Sequence, residues 1–272
     1  MSQIHRLQQQ RFELKYLITE EVARRLRNYV SSYLELDDYA VGRPNLSYPV
    51  HSIYFDSDDL RFYHATINGN RNRFKLRLRY YDENPETPVF CEIKGRADNC
   101  ILKRRCGLRR DAVASLAAGR MPQKEQVWSP EPRHWATLQE FCRRLHLFRA
   151  RPKLHNSYLR EAWVCPRGND IRITFDRNIL VEPCFQPHPV MRMRQPIRLA
   201  NNEIVLEVKF TERFPDWFNA MVQRFDLVRS AFGKYTTGVL TIGENRFHRN
   251  PAVSRPNHPF ATVSACLVES EE

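Results

Sequence analysis

The stretch RFKLRLRYY, from Arg73 to Tyr81, carries a cationic side chain at every second residue. Side chains of an extended strand alternate between two faces, so these cations share one face. They are Arg73, Lys75, Arg77 and Arg79. Like charges in one row repel, and no acid is interleaved to relieve them. Arginine can bind a phosphate through two hydrogen bonds and lysine as a point charge, so the row predicts a polyanion-binding surface.

The whole chain shares this excess of positive charge. Its 272 residues include 43 Lys and Arg against 31 Asp and Glu, for a formal charge of +12. The segment from Arg71 to Arg110 alone carries about +7 of the excess. Such a charge favours anionic partners, among them nucleotides, polyphosphate, nucleic acid and membrane surfaces.

Composition also bounds the class of protein. With 42% hydrophobic residues the chain can bury a substantial core. The seven cysteines are scattered and form no C-x-x-C pair, which argues against a disulfide framework or zinc site and favours a cytoplasmic location. We expect neither a signal peptide nor a membrane span. One domain is predicted over residues 1–249, followed by a disordered tail over 250–272.

Other predicted strands repeat the division into an apolar and an ionic face. RFELKYLI, Arg11–Ile18, is followed by a helix that Thr19 caps. Four further helices are predicted: a short one ending at Gly69, one from Asp111 to Gly119, one over 134–146 and one after Pro215. FCEIKG and NCILKRRCGL form a predicted hairpin. The ionic positions of these strands are Glu13 and Lys15, Glu92 and Lys94, Arg172, Thr174 and Asp176, and Glu207 and Lys209.

An open sheet with one face in water would explain a single strand of this kind. Repetition of Arg, Lys and Glu at the polar positions is unlike an ordinary solvent face. We therefore predict an α+β fold with a closed antiparallel eight-stranded β-barrel, a tunnel with a charged interior and helices packed outside. Lys103 and Arg105 would extend the phosphate clamp, although Arg104 between them is an equally good candidate.

Carboxylates beside the cations supply hard oxygen ligands for Mg²⁺ or Mn²⁺. The candidate metal ligands are Glu13, Glu92 and Glu207. Phosphoryl transfer depends mostly on positioning and charge neutralisation, so no Ser, Cys or His nucleophile is required. The histidines show no ligand spacing, and we interpret them as structural or surface residues.

Eight segments resemble, in order, the motifs of the VTC domain, the polyphosphate polymerase domain of the vacuolar transporter chaperone complex, within the triphosphate tunnel metalloenzyme superfamily. They run from Arg11 to Gly238 and are RFELKYLI, HSIYFDSDDLRFYHATING, RFKLRLRYY, FCEIKG, SYLREAW, IRITFDRNI, VLEVKF and FGKYTTG. The resemblance implies a tunnel of eight antiparallel strands. It also implies transfer of the γ-phosphate of ATP onto a polyphosphate chain with a divalent metal, commonly Mn²⁺.

Carried over by position, the resemblance implies phosphate binding by Lys15, Arg77, Arg79, Lys94, Arg160, Arg172, Lys209 and Lys234, and metal binding by Glu207. We assign catalysis to Lys15, Arg77, Arg79, Lys94 and Lys209. We assign binding of substrate phosphates to Arg73, Lys75, Lys103, Arg105, Arg160, Arg172 and Lys234. Arg160 depends on the register taken for SYLREAW.

Two positions depart from the pattern. Arg11 stands where the superfamily has the first Glu of E-x-E-x-K, which disfavours a two-metal hydrolase. Ala231 stands near the place of an additional lysine in fungal members, so one phosphate contact is absent. The sequence shows no phosphate-sensing domain, and coupling to export would need a separate membrane partner.

Two alternatives to the polymerase stay open from the residues. The same clamp can deliver phosphate to water, as an inorganic or nucleoside triphosphatase, with Glu13, Glu92 or Asp176 as a base. A noncatalytic polyanion-binding module is the third possibility. Nucleic acid is not an expected partner, because most aromatic residues, such as Phe12 and Tyr80, fall on the apolar faces of strands rather than where they could stack on bases.

Overall fold

One antiparallel sheet forms the centre of the fold, and the computed structural model describes residues 11–97, 100–166, 171–211 and 214–247. The strands are β1 (Arg11–Ile18), β2 (Glu35–Leu36), β3 (Tyr48–Asp56), β4 (Arg73–Tyr80), β5 (Val89–Ala97), β6 (Cys100–Leu108), β7 (Arg151–Val164), β8 (Ile171–Pro183), β9 (Ile197–Arg198) and β10 (Ile204–Thr211). The helices are α1 (Glu20–Val30), α2 (Arg61–Ile67), α3 (Ala112–Ala117), α4 (Pro132–Leu147), α5 (Asp216–Arg224) and α6 (Lys234–Ile242). The predicted tail over 250–272 lies outside the described residues.

Local sequence explains the first elements. β1 alternates charged and apolar residues, as a half-buried strand should. Thr19 then begins α1, and its hydroxyl accepts a hydrogen bond from the amide of Val22 at 3.3 Å. Glu20 and Glu21 occupy the first turn, where the helix dipole favours acidic side chains. The predicted strand and helix are therefore both present.

The sheet is strongly curled. Its eight long strands follow the order β1-β10-β8-β7-β3-β4-β5-β6, so five strands separate β1 from β5. In a flat sheet, with strands about 4.8 Å apart, β1 and β5 would lie about 29 Å apart. Instead, Lys94 Nζ of β5 lies 3.0 Å from Glu13 Oε2 of β1. The two ends of the sheet therefore face each other across a concave side.

Closure of the barrel is not confirmed, because no backbone ladder joins β1 to β6 within the described residues. Each edge strand is instead bonded to a neighbouring loop. The amide of Ser230 donates to the carbonyl of Lys15 at 2.8 Å, and the amide of Trp128 donates to the carbonyl of Gly107 at 2.9 Å. These loops satisfy edge groups that a closed barrel would pair with each other.

The convex side of the sheet packs against helices, as the alternation predicted. One apolar cluster lies under α3 and α4 and includes Leu76, Leu78 and Ile93. A second lies under α1 and α5 and includes Leu206 and Phe210. Phe12 is an exception among the predicted core aromatics, since 42% of its surface is exposed.

Helix α6 packs on the concave side and was not predicted, since only Lys234 was interpreted in its motif. Tyr235 and Val239 of α6 belong to a third apolar cluster with Leu154 of β7. Gly238 permits this close approach, because a Cβ at its position would lie 3.0 Å from Leu154 Cδ2. None of the helices in the described part of the chain combines the length and apolar character that a membrane crossing requires.

Candidate functional site

Strand register brings the predicted cations together on the concave side of the sheet, which we call the ionic face. Lys15 pairs with Glu207, Lys209 with Arg172, and Lys75 with Lys94. Lys234 joins them from the first turn of α6. The predicted cations that lie on the ionic face are Lys15, Arg73, Lys75, Arg77, Arg79, Lys94, Lys103, Arg105, Arg160, Arg172, Lys209 and Lys234.

Glu92 is the centre of one ion cluster. Its side chain is almost fully buried, and Arg77 donates a hydrogen bond of 2.6 Å to Oε2. Three more cations lie within 3.9 Å of its oxygens: Arg105 at 3.3 Å, Lys103 at 3.7 Å and Arg79 at 3.9 Å. Several cations thus share one carboxylate, which leaves positive charge available for an anion.

Register also decides which residues of β6 lie on the ionic face. Lys103 pairs with Lys94 and Arg105 with Glu92, so both lie on the ionic face. Arg104 pairs with the buried residue Ile93 and therefore belongs to the opposite face. The structure separates two candidates that the sequence left equal.

A second ion cluster surrounds Glu207 and Asp176. Arg160 donates two hydrogen bonds of 2.7 Å to Asp176, which places Arg160 on the ionic face as the register taken for SYLREAW required. Lys234 Nζ bridges the two carboxylates, 2.6 Å from Asp176 and 3.2 Å from Glu207. The other cations near Glu207 are Lys209 at 3.0 Å, Lys15 at 3.7 Å and Arg160 at 3.8 Å.

A cavity of about 290 Å³ opens beside Glu13, lined also by Lys15, Lys75 and Arg229. Glu13 lies 3.0 Å from Lys94 and 3.3 Å from Lys15. Lys75 has no carboxylate partner among the described residues, and besides the phenol of Tyr54 its electrostatic neighbours are the cations Lys15, Lys94 and Arg77. This end of the ionic face therefore holds a lysine whose charge is not neutralised.

Burial and charge oppose each other in the pKa values of this site. Burial alone would raise the pKa of Glu13, but Lys94 and Lys209 outweigh it and lower the pKa to about 2. The pKa values of Glu92 and Glu207 are also below their ordinary range, because surrounding cations outweigh burial. Burial lowers the pKa of Lys75 to about 8 against the opposing effect of Tyr54. The carboxylates are therefore ionised at neutral pH, whereas Lys75 loses its proton more readily than an ordinary lysine does.

Arg73 and Arg172 occupy opposite margins of the ionic face. Arg73 donates a hydrogen bond of 2.5 Å to the carbonyl of Asn70, next to the start of β4. Arg172 donates one of 2.6 Å to Asp37, a buried acid that sequence reasoning missed. Asp37 follows the short strand β2, and no pattern in its own segment indicates a contact with β8.

Tyrosines on the ionic face were also missed. Arg77 donates to the hydroxyl of Tyr54 at 3.1 Å, and Arg79 donates to that of Tyr158 at 3.2 Å. Burial would raise the pKa of Tyr54, but Arg77 and Arg79 outweigh it and lower the pKa to about 8. The signal was available, since Tyr54 alternates with the apolar residues Ile53 and Phe55 of β3. These phenols orient the arginines that the sequence identified.

The carboxylates are suited to a metal ion that also binds substrate phosphates, and less suited to one bound by protein side chains alone. Within the described residues, no group of three or more His, Cys, Asp or Glu side chains is arranged to hold a metal. Glu207 and Asp176 are neighbours through Lys234, while Glu92 belongs to a separate cluster. Glu92 Oε1 is buried and makes no hydrogen bond, although Arg105 and Lys103 lie 3.3 and 3.7 Å from it. Mg²⁺ commonly takes one or two protein carboxylates and completes its shell with phosphates and water, which this donor set allows.

The fold and site together define an α+β protein that gathers its cationic side chains inside a curled antiparallel sheet. The family model of the VTC domain matches residues 10–242, and the chain belongs to this family. The family assignment agrees with the resemblance found in the motifs.

Two relatives carry the name Vacuolar transporter chaperone complex subunit 4. The one from Trypanosoma brucei brucei is 22% identical over 244 residues, covering 76% of this chain and 30% of its own length. The one from Schizosaccharomyces pombe is 24% identical over 272 residues, covering 85% of this chain and 37% of its own length. The chain thus spans about a third of the length of these relatives.

Two solved structures are similar over most of the chain. A Bacillus halodurans protein solved as a candidate adenylate cyclase has a TM-score of 0.46 and 13% identity, covering 81% of this chain and 92% of its own. A Pyrococcus horikoshii protein has a TM-score of 0.41 and 13% identity, covering 85% and 98%. Since both scores lie below 0.5, the family assignment rests on the family model and the relatives.

Proposed function

We propose that the chain is a metal-dependent polyphosphate polymerase that transfers the γ-phosphate of ATP onto a polyphosphate chain. The observation that supports this most directly is the sharing of single buried carboxylates, Glu92 and Glu207, among several cations each. Such a surface lacks anions, and a chain of phosphates would supply them. Membership of the VTC domain family supports the same activity.

The reaction needs positioning and charge neutralisation rather than a protein nucleophile. A terminal oxygen of the polyphosphate chain attacks the γ-phosphorus of ATP, the bond from that phosphorus to the β,γ-bridging oxygen breaks, and ADP leaves. Negative charge on the phosphate oxygens is stabilised by cations already fixed in place. The side chains proposed for this role are Lys15, Arg77, Arg79, Lys94 and Lys209.

Glu207 is the proposed principal ligand for Mn²⁺ or Mg²⁺, with Asp176 beside it. A divalent ion held there would neutralise part of the charge on the phosphates. In the ligand-free chain Lys209 and Lys234 contact the oxygens of Glu207. Phosphates compete for these two lysines, so substrate binding would free Glu207 for metal. Glu13 and Glu92 remain candidate ligands at the sides of the site.

The pKa values disfavour the triphosphatase alternative. A general base works best when its pKa lies near the working pH. Lys94 and Lys209 outweigh burial and hold the pKa of Glu13 at about 2, and Arg160 and Lys234 likewise outweigh burial at Asp176 and lower its pKa. Carboxylates held this firmly in the ionised state are weak bases for activating water. Transfer to an already ionised phosphate oxygen needs no such base.

The proposal also covers the substrates, the cellular location and the partners of the chain. We propose that ATP and polyphosphate are the substrates, that the domain works in the cytoplasm, and that nucleic acid is not its ligand. The two relatives are named as subunits of a vacuolar transporter chaperone complex. A separate membrane partner for this chain is therefore part of the proposal.

The first experiment incubates the protein with ATP labelled at the γ-phosphate and Mn²⁺, and resolves long polyphosphate from orthophosphate on a gel. Glu207→Gln removes one charge from the ionic face with little change of shape. Glu161→Gln is its matched control, because Glu161 is also fully buried and bound by arginines, but on the convex side. Circular dichroism checks that each variant folds.

We expect long chains from the wild type and from Glu161→Gln, and a loss on the order of a hundredfold in Glu207→Gln. Lys209 is a half-buried residue of the same face. The Lys209→Met variant should reduce synthesis as well, and it keeps the test valid if Glu207→Gln fails to fold. Orthophosphate as the sole product would replace the polymerase with a triphosphatase. No metal-dependent product from folded wild-type protein would leave only a polyanion-binding module.

A further inference from the structure

Four aromatic rings form a continuous row at the end of the ionic face where β4 finishes. Ring centroids are 6.0 Å apart between Tyr39 and Tyr48, 6.2 Å between Tyr48 and Tyr81, and 6.1 Å between Tyr81 and Phe90. We call these four residues the aromatic end. Tyr48 is buried, Tyr81 and Phe90 are half-buried, and Tyr39 at the outside is 72% exposed.

The aromatic end is continuous with the phosphate-binding cations. The guanidinium of Arg105 lies 3.5 Å from the ring centroid of Phe90 and donates to the hydroxyl of Tyr81 at 3.1 Å. Its Nε is buried and lies 3.3 Å from Glu92 Oε1, an ion pair that lacks hydrogen-bond geometry. Arg172 donates to the hydroxyl of Tyr48 at 3.4 Å. The rings therefore stand directly beside two arginines of the ionic face.

The other end of the ionic face has a different chemistry. In the ladder between β4 and β5, Arg79 pairs with Phe90, whereas Lys75 pairs with Lys94. Four residues of strand separate Arg79 from Lys75, which corresponds to about 13 Å. The cavity at the Lys75 end is lined by charged groups that include Glu13. The ionic face thus runs from rings and arginines at one end to lysines at the other.

We propose that the aromatic end binds the base of the nucleoside triphosphate by stacking, with Tyr39 and Tyr81 as the rings open to it. This rests on the proposed function, which supplies the nucleotide. A base bound there directs the triphosphate inward along the arginines, so the γ-phosphate points towards Lys75. Stacking uses the flat face that every base possesses, so ATP and GTP bind with similar affinity.

The test compares two ligands that differ in the nucleoside, ATP and inorganic tripolyphosphate, by isothermal titration calorimetry with the full chain. Stacking on one ring is worth about 1–3 kcal/mol, or roughly five- to a hundredfold in affinity. We expect Tyr39→Ala to weaken ATP binding about tenfold and to leave tripolyphosphate binding unchanged. Tyr81→Leu also removes the hydroxyl that Arg105 contacts, so it should weaken ATP binding about tenfold and tripolyphosphate binding less. Tyr39→Phe keeps a ring and should bind ATP as the wild type does.

Tyr33→Ala is the control, because Tyr33 is also an exposed tyrosine but stacks on Trp217 outside the sheet, with centroids 4.6 Å apart. Equal weakening of ATP and tripolyphosphate in Tyr39→Ala would overturn the proposal, as would an unchanged ATP affinity in both ring variants. Binding is measured without turnover, so a change specific to ATP stands even if the chain makes no polyphosphate. Loss of synthesis with normal nucleotide stacking would instead refute the proposed function alone.

Discussion

Replacing Lys75 should stabilise the fold and weaken the site at the same time. Lys75 is half-buried among cations, and burial lowers its pKa from 10.5 to about 8. Each pKa unit corresponds to 1.36 kcal/mol, so the buried charge destabilises the folded state by about 3 kcal/mol. Partial exposure to solvent reduces this to roughly 2 kcal/mol. Lys75→Met removes that penalty and should raise the free energy of unfolding by a similar amount at pH 7.

The sign of the pH dependence follows from the two pKa values. Between about pH 8 and pH 10.5 the unfolded chain keeps the proton on Lys75 that the folded chain has lost, so stability rises with pH across this window. Below pH 8 the penalty is fully present. The advantage of Lys75→Met should therefore be largest at pH 7 and fall to less than half of that value at pH 10.

Urea denaturation at pH 7 and pH 10 measures this difference, with Lys124→Met as the control because Lys124 is exposed. Tripolyphosphate titrations should show the opposite effect, with affinity at least tenfold lower in Lys75→Met, since one cation of the clamp is gone. A variant no more stable than the wild type at pH 7, or an advantage that persists unchanged at pH 10, would refute the reasoning.

Two further outcomes follow from buried groups on the convex side. His51 and His155 lie 3.0 Å apart, and burial lowers the pKa of each to about 4, with His155 adding to the effect at His51. As the pH falls, the unfolded chain therefore binds protons at these histidines before the folded chain does. The free energy of unfolding should fall by roughly 3 kcal/mol per histidine between pH 6.5 and pH 4. Urea titrations over that range test this, and a flat profile would contradict it. Cys91 and Cys106 are fully buried, and burial raises the pKa of Cys91, so iodoacetamide should label them only as fast as the chain unfolds. Mass spectrometry of labelled peptides would show rapid native labelling if that expectation is wrong.

The sequence predicted the structure best where the two-residue period of a strand coincided with an alternation of charged and apolar side chains. Alternating charge along β1, β4, β5 and β10 predicted both the strands and the side each residue faces, because a strand repeats every two residues. Arg77 and Lys209 lie on the predicted side for this reason. The helices were predicted from caps and amphipathic spacing, as at Thr19.

What the sequence did not predict depends on tertiary contacts. Asp37 contacts Arg172 although 135 residues separate them in the chain, and no local sequence pattern indicates this contact. Helix α6 is short and its packing against Leu154 depends on the curl of the sheet. Closure of the barrel depends on which group meets each sheet edge, and loops near Ser230 and Trp128 occupy the edges instead.

The pairing of β1 with β10 also has a consequence for biosynthesis. Lys15 and Glu207 are register partners although about 190 residues separate them in the chain. The ribosome delivers β1 early, and this strand stays without its neighbour until β10 has emerged. The ion cluster around Glu207 therefore does not form until β10 has been made. The cations of β4, β5 and β6 come together earlier, because these strands follow one another in the chain, so the two parts of the ionic face form at different stages of synthesis.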